Sequence, residues 1–169
     1  MSEFVLEPWG EDDLSLLERL LGDPAMMEHL GGPESAKKIA ERQQKYVTLR
    51  GESPDKMFKI VEAATGQGVG SVGYWQRELP NEEVYETGWS VLPEFQGRGI
   101  ATSGTVQAIE LARAERRHRH LWAYPSVENH ASNAICRKLG FELVETEEFE
   151  YPPGSGKIMR CNNWRLELF

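Results

Sequence analysis

The chain has 169 residues, 40% of them apolar, with a mean hydropathy of −0.52. That is the size and balance of one soluble domain, 1–169, and it excludes wholesale disorder or a bilayer-spanning protein. Nineteen Lys and Arg against 27 Asp and Glu leave a formal charge of −8 at pH 7, which repels phosphate backbones and argues against a nucleic-acid partner.

Phe4 to Glu7 has the length of an opening strand, ended by Pro8, which cannot donate to a ladder. Asp12 or Asp13 can cap a helix in which Leu14, Leu17, Leu20 and Leu21 recur at helical spacing until Gly22 and Pro24 stop it. After the turn Gly31-Gly32-Pro33, a second helix is expected over 34–49. Met57 to Ala64 and Val69 to Arg77 are β-prone and joined by the hairpin turn Thr65-Gly66-Gln67-Gly68, and Val84 to Val91 gives a third strand. Ile100 to Arg117 reads as a helix with Ala101, Gly104, Thr105, Ala108, Leu111 and Ala112 on one narrow face suited to close packing on a sheet. His120 to Tyr124 is a short strand and Asn129 to Leu139 a helix with Gly140 at its C′ position; 141–150 and 161–169 close the chain as a hairpin. Strand 84–91, helix 100–117 and strand 120–124 form a parallel unit with a right-handed crossover inside an otherwise antiparallel sheet. The class is α+β: a mixed, mostly antiparallel sheet with a central parallel strand pair flanked by helices.

The stretch Leu92-Pro93-Glu94-Phe95-Gln96-Gly97-Arg98-Gly99-Ile100-Ala101-Thr102 lies between a strand end and a helix start. A helix N-terminus presents unpaired N–H groups and the positive end of the macrodipole, and glycine lets an anion approach without meeting a Cβ. Arg98 adds a formal positive charge. The combination suits a pyrophosphate, yet it lacks the GxxxxGK[ST] pattern of a nucleotide P-loop and follows a meander where a dinucleotide fold would have its first strand. A glycine-rich strand-to-helix turn with no ligand is the plain alternative.

Gln96 to Ala101 meets the Q/R-x-x-G-x-G/A pattern of the GNAT acyl-CoA transferases, and VYETGWSVLPEFQGRGIA together with NHASNAICRKLGF (129–141) resembles the strand, loop and later helix of that superfamily. Gly22-Asp23-Pro24 through Pro33 resembles the branch of ribosomal-protein N-acetyltransferases. The resemblance implies an enzyme, an N-acetyltransferase with acetyl-CoA as cosubstrate and no metal. It further implies a small-molecule or peptide amine as acceptor, no nucleic-acid or membrane partner, and a homodimer from family habit. It places the pantetheine arm beside Ser90, Val91 and Leu92, the pyrophosphate on Gly97, Arg98, Gly99, Ile100, Ala101 and Thr102 behind Gln96, a further pantetheine contact on Asn129, and the nucleotide end within reach of Ser132 or Arg137. The N–H of Val91 becomes the candidate for polarising the thioester carbonyl.

An acetyl thioester is already activated, so the protein must orient it, stabilise an oxyanion and remove a proton from the amine. An alkyl amine with a pKa near ~10 arrives as an ammonium ion and needs a base or a water chain. Glu86 is the candidate base: alternation puts Glu86, Gly88 and Ser90 on one face of the strand. Its bland alternative is a solvent-facing carboxylate at a strand start. The family's usual tyrosine acid position holds Cys136, leaving bulk water, Tyr124 or the substrate as the acid. A catalytically idle acyl-CoA-binding sensor or interaction module is therefore the alternative function, and a nucleotide-phosphate binder a third.

Other features lead less far. Arg116 to His120 is basic but follows a helix C-terminus, where cations complement the dipole. Cys136 and Cys161, the two cysteines, lack metal-ligand spacing. No GxSxG elbow supports a hydrolase. The opening MSEFVLEPWG has no basic or apolar leader region, which makes the cytoplasm the expected compartment. Trp75, Trp89, Trp122 and Trp164 are expected to pack in strands, while Trp9 could line the acceptor cleft. The walls of that cleft are expected near Gly22 to Pro33 and Tyr151 to Met159.

Overall fold

Alternation in the middle of the chain builds the sheet, and the helices cover it. In the computed structural model, which describes residues 3–169, strand β1 (Phe4–Pro8) is followed by α1 (Leu14–Gly22), α2 (Ala36–Tyr46), β2 (Lys56–Glu62), β3 (Gly68–Leu79) and β4 (Glu82–Val91). Then come α3 (Ile100–Glu115), β5 (His120–Ala123), α4 (His130–Lys138), β6 (Glu142–Glu150) and β7 (Ile158–Glu167). One seven-stranded sheet runs β1-β2-β3-β4-β5-β7-β6. Only β4 and β5 are parallel; every other neighbouring pair is antiparallel.

Successive side chains of a strand point to opposite faces, and the core divides accordingly. Ile60, Val72 and Tyr74 pack with Ile100, Ala108 and Ala112 of α3 and with Cys136 of α4. Met57 and, partly buried, Trp75 pack with Leu16, Leu17 and Leu20 of α1 and Ile39 of α2. The narrow face of α3 is real, but its membership differs: Ile100 and Ile109 are buried and Leu111 is 43% exposed. Gly104 lets α3 approach the sheet closely, since a Cβ there would lie 2.7 Å from Cδ1 of Ile60 and 3.6 Å from Cγ1 of Val72.

Three expectations are corrected. The second helix starts at Ala36, because Ser35 caps it by accepting the Lys38 N–H at 3.2 Å, and it ends at Tyr46, short of 49. Asp13 stands at the N-cap of α1 without a capping bond to that helix; its carboxylate accepts the Gly10 N–H at 2.7 Å and faces Lys59 at 3.0 Å. Trp9 lines no cleft: it is fully buried, donates to Gln43 at 2.7 Å and meets Tyr46 edge-on. No helix among the described residues is long and apolar enough to cross a membrane.

Gly104→Val should destabilise the fold by about 1–3 kcal/mol, because two methyls must enter a contact already closed by Ile60. The urea midpoint of the variant checks this, with an unchanged m value expected.

Candidate active site

The cleft exists because β5 follows β7 and abandons β4. The parallel pair is bonded only around Tyr85↔Leu121 and Glu86↔Trp122. Beyond it, Pro125 cannot donate to a ladder, and the chain holds to β7: Asn162 N–H donates to the Pro125 carbonyl at 2.9 Å, Ser126 bridges Cys161, and Val127 N–H donates to the Arg160 carbonyl at 3.0 Å. The far half of β4 is thus left with β3 alone, paired from Glu82↔Leu79 through Val91↔Gly70. Leu92 N–H donates to the Val69 carbonyl at 2.9 Å. Antiparallel alternation then sends the even-numbered amides of β4 to β3 and turns those of Trp89 and Val91 toward the opening.

The end of β4 is tied into the loop. Gln96 Nε2 donates to the Val91 carbonyl at 2.9 Å, after a short 3-10 turn over Pro93–Phe95. Gly97 and Gly99 have φ of +77° and +75°, values that only glycine adopts freely, and no heavy atom lies within 4 Å of where their Cβ would be. Gly99 is the N-cap of α3 and offers no side-chain cap. The first intrahelical bond from this turn is Ser103 N–H to the Gly99 carbonyl, so the amides of Ile100, Ala101 and Thr102 belong to the turn whose N–H groups have no helical acceptor. Arg98 is half-exposed, 3.8 Å from the Glu3 carboxylate and 5.6 Å from the Phe4 and Phe95 ring centres.

The opposite wall is the start of α4. Asn129 caps it, accepting the Ser132 N–H at 3.1 Å. Ser132 Oγ in turn accepts Trp89 Nε1–H at 3.2 Å, a bond from β4 to α4 that spans the opening and that sequence reasoning did not find. Ser90 Oγ lies 3.1 Å from Ser71 Oγ on β3. Arg137 is exposed at the far end of α4, 5.5 Å from the Trp164 ring centre. Cys136 is fully buried in the core beside Phe141, and burial pushes its thiol up to about 12. A thiol in that setting holds its proton and meets no solvent.

Glu86 lies on the other face, the one shared with Gly88 and Ser90. Trp75 Nε1–H donates to its Oε2 at 2.9 Å, and the Arg77 guanidinium is 3.5 Å from its Oε1. Gly88 makes room for the same indole, since a Cβ there would be 3.1 Å from Cη2 of Trp75. Arg77 also stacks on Tyr124, 4.4 Å from the ring centre, and Tyr124 lies parallel to Trp122 at 6.0 Å. The Trp122 Nε1–H is buried with no hydrogen-bond partner among the described residues. Burial raises the Tyr124 hydroxyl to about 12, against the opposing pull of Arg77. Glu82, at the start of β4, pairs with His120 Nδ1 at 2.6 Å.

A cavity of about 700 Å³ opens between the α1–α2 connection, residues 126–128 and the β6–β7 loop, lined by His29, Gly31, Ser126, Glu128, Tyr151 and Arg160 among others. These are the two segments expected as walls. Gly31 lets them touch: a Cβ there would be 3.0 Å from Cδ of Pro152. Among the described residues, no group of three His, Cys, Asp or Glu side chains is placed to hold a metal ion.

The sheet thus parts at its parallel pair, beside a glycine-opened helix start. Residues 3–142 match the family described as Acetyltransferase (GNAT) domain, and the chain belongs to that family of acetyltransferases. The solved structures it resembles include spermidine N-acetyltransferase from Vibrio cholerae in complex with CoA and spermine, at 16% identity over 99% of this chain and 97% of that one, TM-score 0.81. Ribosomal-protein-S5-alanine acetyltransferase from Vibrio fischeri gives 16% identity over 99% and 94%, TM-score 0.80. The Salmonella typhimurium acetyltransferase that modifies the N-terminal serine of 50S protein L7/L12 gives 23% identity over 99% and 96%, TM-score 0.78.

The thiol of Cys136, raised by burial, stays neutral in the folded chain while the unfolded thiol ionises. Stability from this group is therefore full at neutral pH and lost as pH rises toward 12. Alkaline urea titrations should show a shallower fall for Cys136→Ala than for the parent chain, and a thiol reagent at pH 8 should label Cys136 only after denaturant is added.

Proposed function

We propose that the chain transfers an acetyl group from acetyl-CoA to a primary amine of a small molecule or peptide N-terminus, by direct attack in a ternary complex. The observation that carries this reading is the open space over Gly97 and Gly99, in front of the α3 amides, directly after the half of β4 that lacks a neighbour. A diphosphate fits such a cradle: glycines leave room, the macrodipole favours negative charge, and Arg98 adds a cation. Acetyl-CoA supplies an activated thioester, and the chain's own groups do the rest.

Gly97, Arg98, Gly99, Ile100, Ala101 and Thr102 hold the diphosphate, with Gln96 fixing the loop through the Val91 carbonyl. Ser90, Val91 and Leu92 line the pantetheine arm on one side; Asn129 and Ser132 do so on the other. The Val91 N–H polarises the acetyl carbonyl, in the manner of an oxyanion hole. Glu86 receives the ammonium proton. Five residues of strand at about 3.3 Å each put Glu86 and Val91 roughly 16 Å apart, so the proton travels through water rather than by direct contact. Burial keeps the Tyr124 hydroxyl protonated and makes it a poor donor, so the leaving thiolate takes its proton from bulk water or from the substrate. Relatives of this fold act on a ribosomal protein's N-terminal serine and on spermidine, which supports a primary amine as acceptor and the cytoplasm as the compartment.

Titration calorimetry with acetyl-CoA should give saturable binding, and Gly99→Glu should abolish it by placing bulk and negative charge in the cradle. No heat from the parent chain would end the proposal. In a free-thiol assay over amines and N-terminal peptides, Glu86→Gln should lower kcat about a hundredfold without changing acetyl-CoA affinity. No CoA release with any acceptor, beside intact acetyl-CoA binding, would favour an idle acyl-CoA-binding module instead.

A further inference from the structure

Arg77 is the residue of this face that neither the fold nor the chemistry above uses. It is an exposed side chain near the end of β3, and its guanidinium makes two contacts: 3.5 Å to Glu86 Oε1 and 4.4 Å to the Tyr124 ring centre. Both surfaces are those a cation seeks, a carboxylate and an aromatic face. The Glu86 contact is long for a charge-assisted hydrogen bond, which closes to about 2.7–2.9 Å when fully made. By contrast, Trp75 Nε1 fixes the other carboxylate oxygen at 2.9 Å. The carboxylate is thus held rigidly from one side and loosely from the other. The side chain of Arg77 is 42% exposed, so solvent is open to it.

Resting on the acetyltransferase reading above, we propose that Arg77 is a tethered occupant of the acceptor's cation subsite. An incoming ammonium group displaces it from Tyr124 and Glu86, and the residue therefore sets how strongly cationic the acceptor must be. Displacement breaks no covalent bond and moves no proton. The guanidinium swings into solvent, and the acceptor's charge takes over the carboxylate and the ring. A second amine or guanidinium on the acceptor, beyond the one acetylated, is the group best suited to this place.

The test is direct binding of 1,4-diaminobutane, a simple dication, to the full chain with and without saturating CoA, read by calorimetry. Arg77→Ala should tighten the dication about threefold to tenfold, the loss of one partly exposed cation–π and ion-pair competitor. Glu86→Gln should weaken it about tenfold, and Tyr124→Leu should weaken it by a smaller factor. 4-Aminobutanoate, in which a carboxylate replaces one amine, should bind more weakly than the dication to the parent chain. An unchanged or weakened dication affinity in Arg77→Ala, tighter binding of 4-aminobutanoate, or no dication binding to either form would overturn the proposal. Loss of CoA binding with dication binding intact would instead count against the acetyltransferase reading and leave the subsite standing.

Discussion

The decision of the chain at Pro125 to stay with β7 is the constraint on which the site depends. A parallel pair that continued past Glu86 and Trp122 would consume the outward amides of β4 in a ladder, and no slot would remain. Because the chain after Ala123 bonds to Asn162, Cys161 and Arg160, those amides face an opening in the middle of a sheet. Amides turned away from a ladder can donate to whatever enters the slot. The same logic holds at the head of α3, where glycine at the N-cap supplies neither a side-chain acceptor nor an obstruction.

The two faces of the sheet divide the task. The glycine-opened head of α3 and the α4 wall stand where α3 and α4 pack, through Val72, Tyr74 and Cys136. Glu86, Arg77, Trp122 and Tyr124 stand on the opposite face. Alternation along β4 makes the division unavoidable: Ser90 and Glu86 share a face with Gly88, while Trp89 turns the other way to reach Ser132. A one-residue slip of β4 against β3 would exchange the two sets, which is why the continuous register from Leu79 to Gly70 matters for chemistry as well as for stability.

Most of the architecture was legible because local rules agreed with one another. Period-2 patterning, turn glycines and the proline after Leu92 located β2, β3 and β4, and the glycine pair with a helical run behind it located the loop. Errors arose where tertiary packing overrode spacing. Leu111 and Ile109 lie two residues apart on α3 and are equally apolar, and only the tilt of the helix on the sheet decides which is covered. Trp9 looked like a cleft residue beside a helix start, yet Gln43, 34 residues away, supplies a buried partner for its indole N–H. The contacts of Trp75 and Arg77 with Glu86, and of Arg77 with Tyr124, were invisible for the same reason. They join three strands, and no single-strand pattern reports which side chains meet across a sheet.

Rigidity of the second wall follows from one buried asparagine. Asn133 donates to the carbonyls of Ser126 and Asn129 at 2.9 and 2.8 Å, and its Oδ1 accepts from Asn162 and Trp164 at 2.9 and 2.8 Å. A network in which each member is satisfied fixes geometry more firmly than apolar contact alone. It clamps the start of α4 and the segment after β5 to β7, the strand that drew β5 away from β4. The device that opens the slot therefore also holds its far side still, and with it the Ser132 hydroxyl that accepts the Trp89 indole N–H. The adaptable parts are left to the exposed guanidinium of Arg77 and to the two loops that meet at Gly31 and Pro152.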